Sequence, residues 1–113
     1  MAVHRIRLRR PWEIDGQPPR VCFTRRFNCP TGLGPNERVW VVVEDLAGQG
    51  VMHFNGTPLG RLVPGPGPQR FEITGRLGPH NRLALVLEWP ESPAGVEGEP
   101  PGRVRLEIES RQP

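Results

Sequence analysis

The stretch GVMHFNGTPLGR, residues 50–61, decides the fold. Its centre, Asn55-Gly56, is the dipeptide that best accepts the two positive φ values of a type I′ turn. Short apolar-containing segments flank it, so the reading is a two-residue β-hairpin with strands over 50–54 and 57–61. Upstream, residues 38–46 hold the run Val39-Trp40-Val41-Val42-Val43, apolar on both faces and therefore expected in the middle of a sheet. Further upstream, residues 21–27 put Val21, Phe23 and Phe27 on one face and Cys22, Thr24 and Arg26 on the other. Residues 4–9 alternate Ile6 and Leu8 with Arg5, Arg7 and Arg9.

Downstream the pattern repeats. Residues 70–73 read as a short strand with Phe71 and Ile73 on one face, followed by one helical turn over 74–77. Residues 81–89 send Leu83, Leu85 and Leu87 inward, and 103–110 do the same with Val104, Leu106 and Ile108. Pro and Gly together make up 29 of the 113 residues, and the longest segment they leave intact is 36–47. Long helices are thereby excluded. The sum of Val, Ile, Leu and Phe is also 29, enough apolar surface to fold a chain of this charge. The expectation is one all-β domain spanning 1–113, a two-sheet antiparallel β-sandwich or jelly roll of about eight short strands. Two long loops, 62–68 and 90–102, are the first places to look for function.

All 15 basic residues are Arg, and the net charge is only +3. The first 27 residues carry seven Arg against Glu13 and Asp15, whereas the segment from Glu88 onward carries six Glu against three Arg. That polarity predicts that the first and last strands are antiparallel neighbours, with Arg5, Arg7 and Arg9 facing Glu107 and Glu109 across them. No secretory signal core and no membrane-length apolar stretch is seen, so a soluble, cytoplasmic protein is expected. Cys22 and Cys29 lie an odd number of residues apart along one strand direction and are read as reduced thiols.

Catalytic chemistry finds little support. Ser92 and Ser110 are the only serines, and neither sits in a Gly-x-Ser-x-Gly elbow. His4, His53 and His80 share no metal-ligand spacing, so neither a metal nor a cofactor is expected. Glu44-Asp45 reads as the solvated end of a strand, and Glu107 and Glu109, alternating with Leu106 and Ile108, as solvent-facing partners for arginines. The set Arg5, Arg7, Arg9 and Arg10 lacks interleaved aromatics, which argues against nucleic acid. Of the tryptophans, Trp40 is read as core and Trp12 as cover for the sheet edge. Trp89 closes a strand and opens the acidic 90–102 loop, the arrangement suited to stacking on a sugar ring.

Taken in order, Arg25-Arg26-Phe27, Pro30, Arg38-Val39-Trp40-Val41-Val42-Val43, Met52-His53-Phe54-Asn55-Gly56 with Leu59-Gly60, Phe71-Glu72-Ile73-Thr74 with Leu77, and Asn81-Arg82-Leu83-Ala84-Leu85 resemble a known domain. It is the galactose-binding-like, sugar-binding jelly roll at the N-terminus of family 2 glycoside hydrolases, the β-galactosidases and β-glucuronidases. The resemblance runs from about residue 21 to 89. It implies a β-sandwich that is not itself catalytic, since the catalytic barrel of those enzymes is a separate domain. Leu87-Glu88-Trp89-Pro90-Glu91 resembles the strand end after which, in some β-galactosidases, a loop carries an acidic residue that reaches the sugar, and this implies Glu91, Glu97 or Glu99 as the acidic partner beside Trp89. In that family Asn55-Gly56 corresponds to a turn and not to a ligand contact. The Pro-Gly repeat of 62–68 departs from the family pattern. Two expectations follow: a non-catalytic carbohydrate-binding module, or a structural or protein-interaction domain that keeps the fold without the sugar. Neither nucleic acid nor a membrane is expected as a partner.

Overall fold

In the computed structural model, which describes residues 2–17, 19–88 and 100–110, Asn55 and Gly56 take φ of 50° and 84°. The two positive values are those of the expected turn, and they close β5 (Gln49–Phe54) onto β6 (Thr57–Leu62). Asn55 tolerates the left-handed conformation because its short amide finds local partners there. The other strands are β1 (Ala2–Arg7), β2 (Glu13–Gln17), β3 (Arg20–Asn28), β4 (Glu37–Glu44), β7 (Gln69–Glu72), β8 (His80–Glu88) and β9 (Arg103–Ser110). A single 3-10 turn at Thr74–Arg76 precedes β8. All pairings are antiparallel. One sheet has the order β1-β9-β4-β7 and the other β2-β3-β8-β5-β6.

The two sheets bury their facing sides against each other. Val39, Val41, Val43, Val104 and Leu106 line one side; Val21, Phe23, Met52, Phe54, Leu83, Leu85 and Leu87 line the other. Leu83, Leu85 and Leu87 are completely buried, as their period-two spacing requires, and each contributes on the order of 2 kcal/mol of apolar transfer energy. The valine run behaves as its two-sided apolarity predicts: β4 lies between β9 and β7. Val42, which points away from the core, is fully buried all the same and lies in register between Arg70 and Arg105.

Nine strands form among the described residues, in keeping with the expected eight or so, and the one that carries no pattern signal is β2. Its sequence Glu-Ile-Asp-Gly-Gln is exposed throughout and joins only as the edge partner of β3. The first strand runs from Ala2 to Arg7, so Arg9 lies beyond it. β1 and β9 are antiparallel neighbours as expected, but only Arg5 faces Glu107; Arg7 faces Arg105, and Glu109 faces Val3. Trp12 is not edge cover: it is 7% exposed, packs into the core and donates its indole N–H to the Leu8 carbonyl at 3.2 Å. Trp40 is not core. It stands half-buried on the outer face of the four-stranded sheet under the Arg70 guanidinium, 4.4 Å from its ring centre. Its indole nitrogen is buried with no hydrogen-bond partner among the described residues.

The Pro-Gly loop is fastened rather than open. Gln69 accepts from the Val63 amide at 2.9 Å and donates to the Val63 carbonyl at 2.7 Å, while Gly65 and Leu46 exchange backbone hydrogen bonds at 3.0 and 3.1 Å. Cys22 and Cys29 are both unpaired thiols. No helix among the described residues is long and apolar enough to cross a membrane.

Candidate functional site

At one end of the five-stranded sheet, the last residues of β3 run beside the first residues of β8, with the β5–β6 turn next to them. Register places Arg26 opposite Arg82, Phe27 opposite Asn81 and Asn28 opposite His80. These residues, with Arg25 and Asn55, line an open cleft of about 750 Å³. Alternation divides them: Phe27 and Asn81 point toward the core side, whereas Arg26, Arg82, Asn28 and His80 point to the outer face.

The two amides nearest the core are committed to structure. Asn81 is 3% exposed; its Oδ1 accepts from the Gly78 N–H at 2.9 Å and from Asn55 Nδ2 at 3.1 Å, and its Nδ2 donates to the carbonyls of Gly78 at 3.0 Å and Phe27 at 3.4 Å. Asn55 completes the clasp by donating to the Arg76 carbonyl at 3.2 Å and accepting from the Arg82 backbone N–H at 2.8 Å. The turn, the 3-10 segment and β8 are thereby tied together beneath the cleft. Phe27 supplies an apolar floor and meets Phe54 at 6.1 Å between ring centres.

What remains for a ligand is mostly donors. The Arg25 guanidinium is held by the carbonyls of Arg9, at 2.7 Å, and Arg26. Arg26 reaches one carboxylate, Glu13 at 3.7 Å, with both side chains about 70% exposed, a pairing of small worth. His80 Nδ1 lies 3.1 Å from Asn28 Oδ1. Among the described residues no Asp or Glu lines the cleft. Such a lining suits an acceptor-rich ligand.

Among the described residues the carboxylates are concentrated elsewhere, on the outer face of the four-stranded sheet. There Glu107, expected to face solvent, is only 7% exposed. It accepts from Arg105 Nε at 2.8 Å and lies 3.5 Å from Arg5 and 3.6 Å from Arg70. Arg105 also binds Glu44, which Arg103 approaches at 3.5 Å; Arg103 holds Asp45 at 2.6 Å, and Arg70 holds Glu109 at 2.5 Å. Glu44 is therefore half-buried and ion-paired, not a solvated strand end. Burial works to raise the Glu107 carboxyl, but the hydrogen bond from Arg105 and the charges of Arg105, Arg70 and Arg5 prevail and hold it below the usual carboxylate range. A carboxylate so held stays ionised and makes a poor general acid.

Trp89, Glu91, Glu97 and Glu99, the site expected from sequence, lie outside the described residues. β8 ends at Glu88, the end of that strand opposite the cleft. Pattern reading missed the cleft because Arg25-Arg26 and Asn81-Arg82 stand 56 positions apart in sequence, and only the β3–β8 register brings them together. Asn55 lines the cleft but serves the turn, as the turn reading implied.

The fold and cleft define an antiparallel β-sandwich with a cationic end. Superposition on solved structures identifies similar architecture within β-glucuronidases. The FMN-binding β-glucuronidase from Facaelibacterium prausnitzii L2-6 matches with a TM-score of 0.74 at 16% identity, over 96% of this chain and 23% of that one. The Bifidobacterium dentium β-glucuronidase complexed with coumarin-3-O-glucuronide matches at 0.62 and 16% identity, over 80% and 21%. A β-glucuronidase of an uncultured Clostridium sp. matches at 0.61 and 18% identity, over 81% and 19%. This chain thus spans about a fifth to a quarter of the length of those enzymes. No family model matches the sequence, and no curated protein matches it.

Proposed function

We propose that the chain is a non-catalytic accessory β-sandwich of the galactose-binding-like, jelly-roll kind found within glycoside hydrolases, and that it holds a carbohydrate at the Arg26–Arg82 cleft. The observation that carries this reading is the correspondence of 96% of the chain to 23% of a β-glucuronidase chain. A piece of that size matches one small part of such an enzyme and not the enzyme itself. The cleft supports it with a rigid amide clasp, an aromatic floor at Phe27 and a rim of hydrogen-bond donors. Hydroxyl-rich rings are held by groups of this type around an apolar surface.

The 90–102 loop is the competing location, with Trp89 stacking and Glu91, Glu97 or Glu99 accepting. Titration of galactosides and glucuronides into the isotopically labelled protein, followed by NMR, tests both. Millimolar binding lost in Arg82→Gln and kept in Trp89→Ala supports the cleft. The reverse pattern moves the site to the loop. No shift with any sugar overturns carbohydrate binding and leaves a protein-interaction domain, the reading favoured by the buried, unpaired indole N–H of Trp40 on the outer face.

A further inference from the structure

Four of the arginines on the described strands stand directly opposite carboxylates. Arg5 faces Glu107, Arg38 faces Glu109, Arg103 faces Glu44 and Arg20 faces Glu88. Two pairs set arginine against arginine. Arg7 faces Arg105, but Arg105 is neutralised by its hydrogen bonds to Glu107 and Glu44. Arg26 faces Arg82, and there the rows on either side offer only Thr24 with Ala84 and Asn28 with His80. Among the described residues no carboxylate lies within ion-pair distance of Arg82, and Arg26 has only the distant, exposed Glu13.

We infer that Arg26 and Arg82 together form a binding site for an oxyanion, the carboxylate or sulfate ester of an acidic saccharide. The inference rests on the carbohydrate reading above for the saccharide, but not for the anion. Directly opposed like charges weaken a strand pair, with Cβ atoms about 5 Å apart. Guanidinium groups at that spacing can converge on one anion, each offering two parallel N–H donors to a planar or tetrahedral oxyanion. The backbone beneath is fixed, because the Arg82 N–H is bound by Asn55 and Asn55 is bound by Asn81. Arg25, pinned to the carbonyls of Arg9 and Arg26, adds a third positive charge to the same cleft. The cleft is open on this side, so a ligand needs no rearrangement to enter.

The test uses the whole chain and Arg82→Gln at constant ionic strength, with sodium sulfate, glucuronate, N-acetylglucosamine 6-sulfate, glucose and a short polyglutamate peptide as probes. Expected is saturable binding of the anionic sugars, weakened at least tenfold in Arg82→Gln, with glucose binding more weakly and losing less to the change. Comparison of glucuronate with the sulfated sugar separates the two anion types. The unliganded variant is expected to melt no lower than wild type at low salt, since the substitution relieves a repulsion. Sulfate bound through Arg82 without any sugar binding keeps the anion site and overturns the saccharide. Glucose and glucuronate binding equally, both indifferent to Arg82→Gln, overturns the anion site and leaves a carbohydrate module whose sugar sits outside the cleft. Tighter binding of polyglutamate than of any sugar overturns the saccharide in favour of an acidic protein segment. No anion binding at all, or a variant that melts lower than wild type, overturns the inference outright.

Discussion

Replacing Glu107 with Gln removes one charge from the centre of the outer-face lattice while keeping its shape. The lost interactions are unequal. The Arg105 hydrogen bond, at 2.8 Å between side chains only 23% and 9% exposed, is the main one. Charge-assisted bonds of this kind are worth about 1.5 to 3 kcal/mol, and the Gln amide recovers part of that by accepting from Arg105. Arg5 and Arg70, at 63% and 40% exposed, are screened by water and add about 0.5 kcal/mol each at most. The net expectation is a loss of about 2 kcal/mol at neutral pH, equivalent to a melting temperature lower by roughly 8 °C for a domain of this size. The pH dependence has a definite sign. Because the folded carboxyl titrates below the unfolded one, its contribution is complete above the ordinary carboxylate range and is lost as pH falls toward the folded value. Thermal melts followed by circular dichroism, run from pH 7 down to pH 2, therefore show two curves that differ at neutrality and converge below about pH 4. A variant that melts within 2 °C of wild type at pH 7, or a gap that persists undiminished into acid, refutes the reasoning.

Gly50→Ala is expected to abolish folding, because a Cβ there would lie 1.8 Å from the Val86 carbonyl oxygen, and the β5–β8 ladder would have to part; a cooperative melt resembling wild type contradicts this. Asn81→Ala removes four of the clasp's six side-chain hydrogen bonds and is expected to cost about 3 kcal/mol, read as a shift in denaturation midpoint, since it leaves buried partners unpaired.

Much of the fold was legible because apolar spacing and turn chemistry are local signals. Asn55-Gly56 announced its hairpin, Leu83, Leu85 and Leu87 announced their strand, and the valine run announced a central position. β2 carried no such signal: its five residues are held by pairing with β3 and bury almost nothing. Trp40 misled because a large aromatic inside a valine run suggests core, whereas strict alternation sends it to the outer face with Val42. Glu107 misled in the opposite way. Its alternation gave the correct side of the sheet, but three arginines from β1, β7 and β9 close over it, and only the assembled register reveals them. The cleft was illegible for the same reason, since the opposition of Arg26 and Arg82 is a property of the β3–β8 pairing and of neither strand alone.

The lattice over the four-stranded sheet has a chemical asymmetry set by its choice of cation. Every positive group in it is a guanidinium, and Arg105, on which burial acts to lower the value, is nevertheless carried higher by its bonds to Glu107 and Glu44. Only the carboxylate half of the lattice can therefore change protonation in water that a protein tolerates. A lysine-built surface would begin to discharge near pH 10 and lose its cross-strand attraction there, but this one keeps it. The acid limb of the stability profile is consequently the sensitive one, and alkaline conditions leave the sheet's electrostatics intact. Amine-directed reagents meet the same asymmetry, since the sequence contains no lysine side chain for them to modify on this face or on any other.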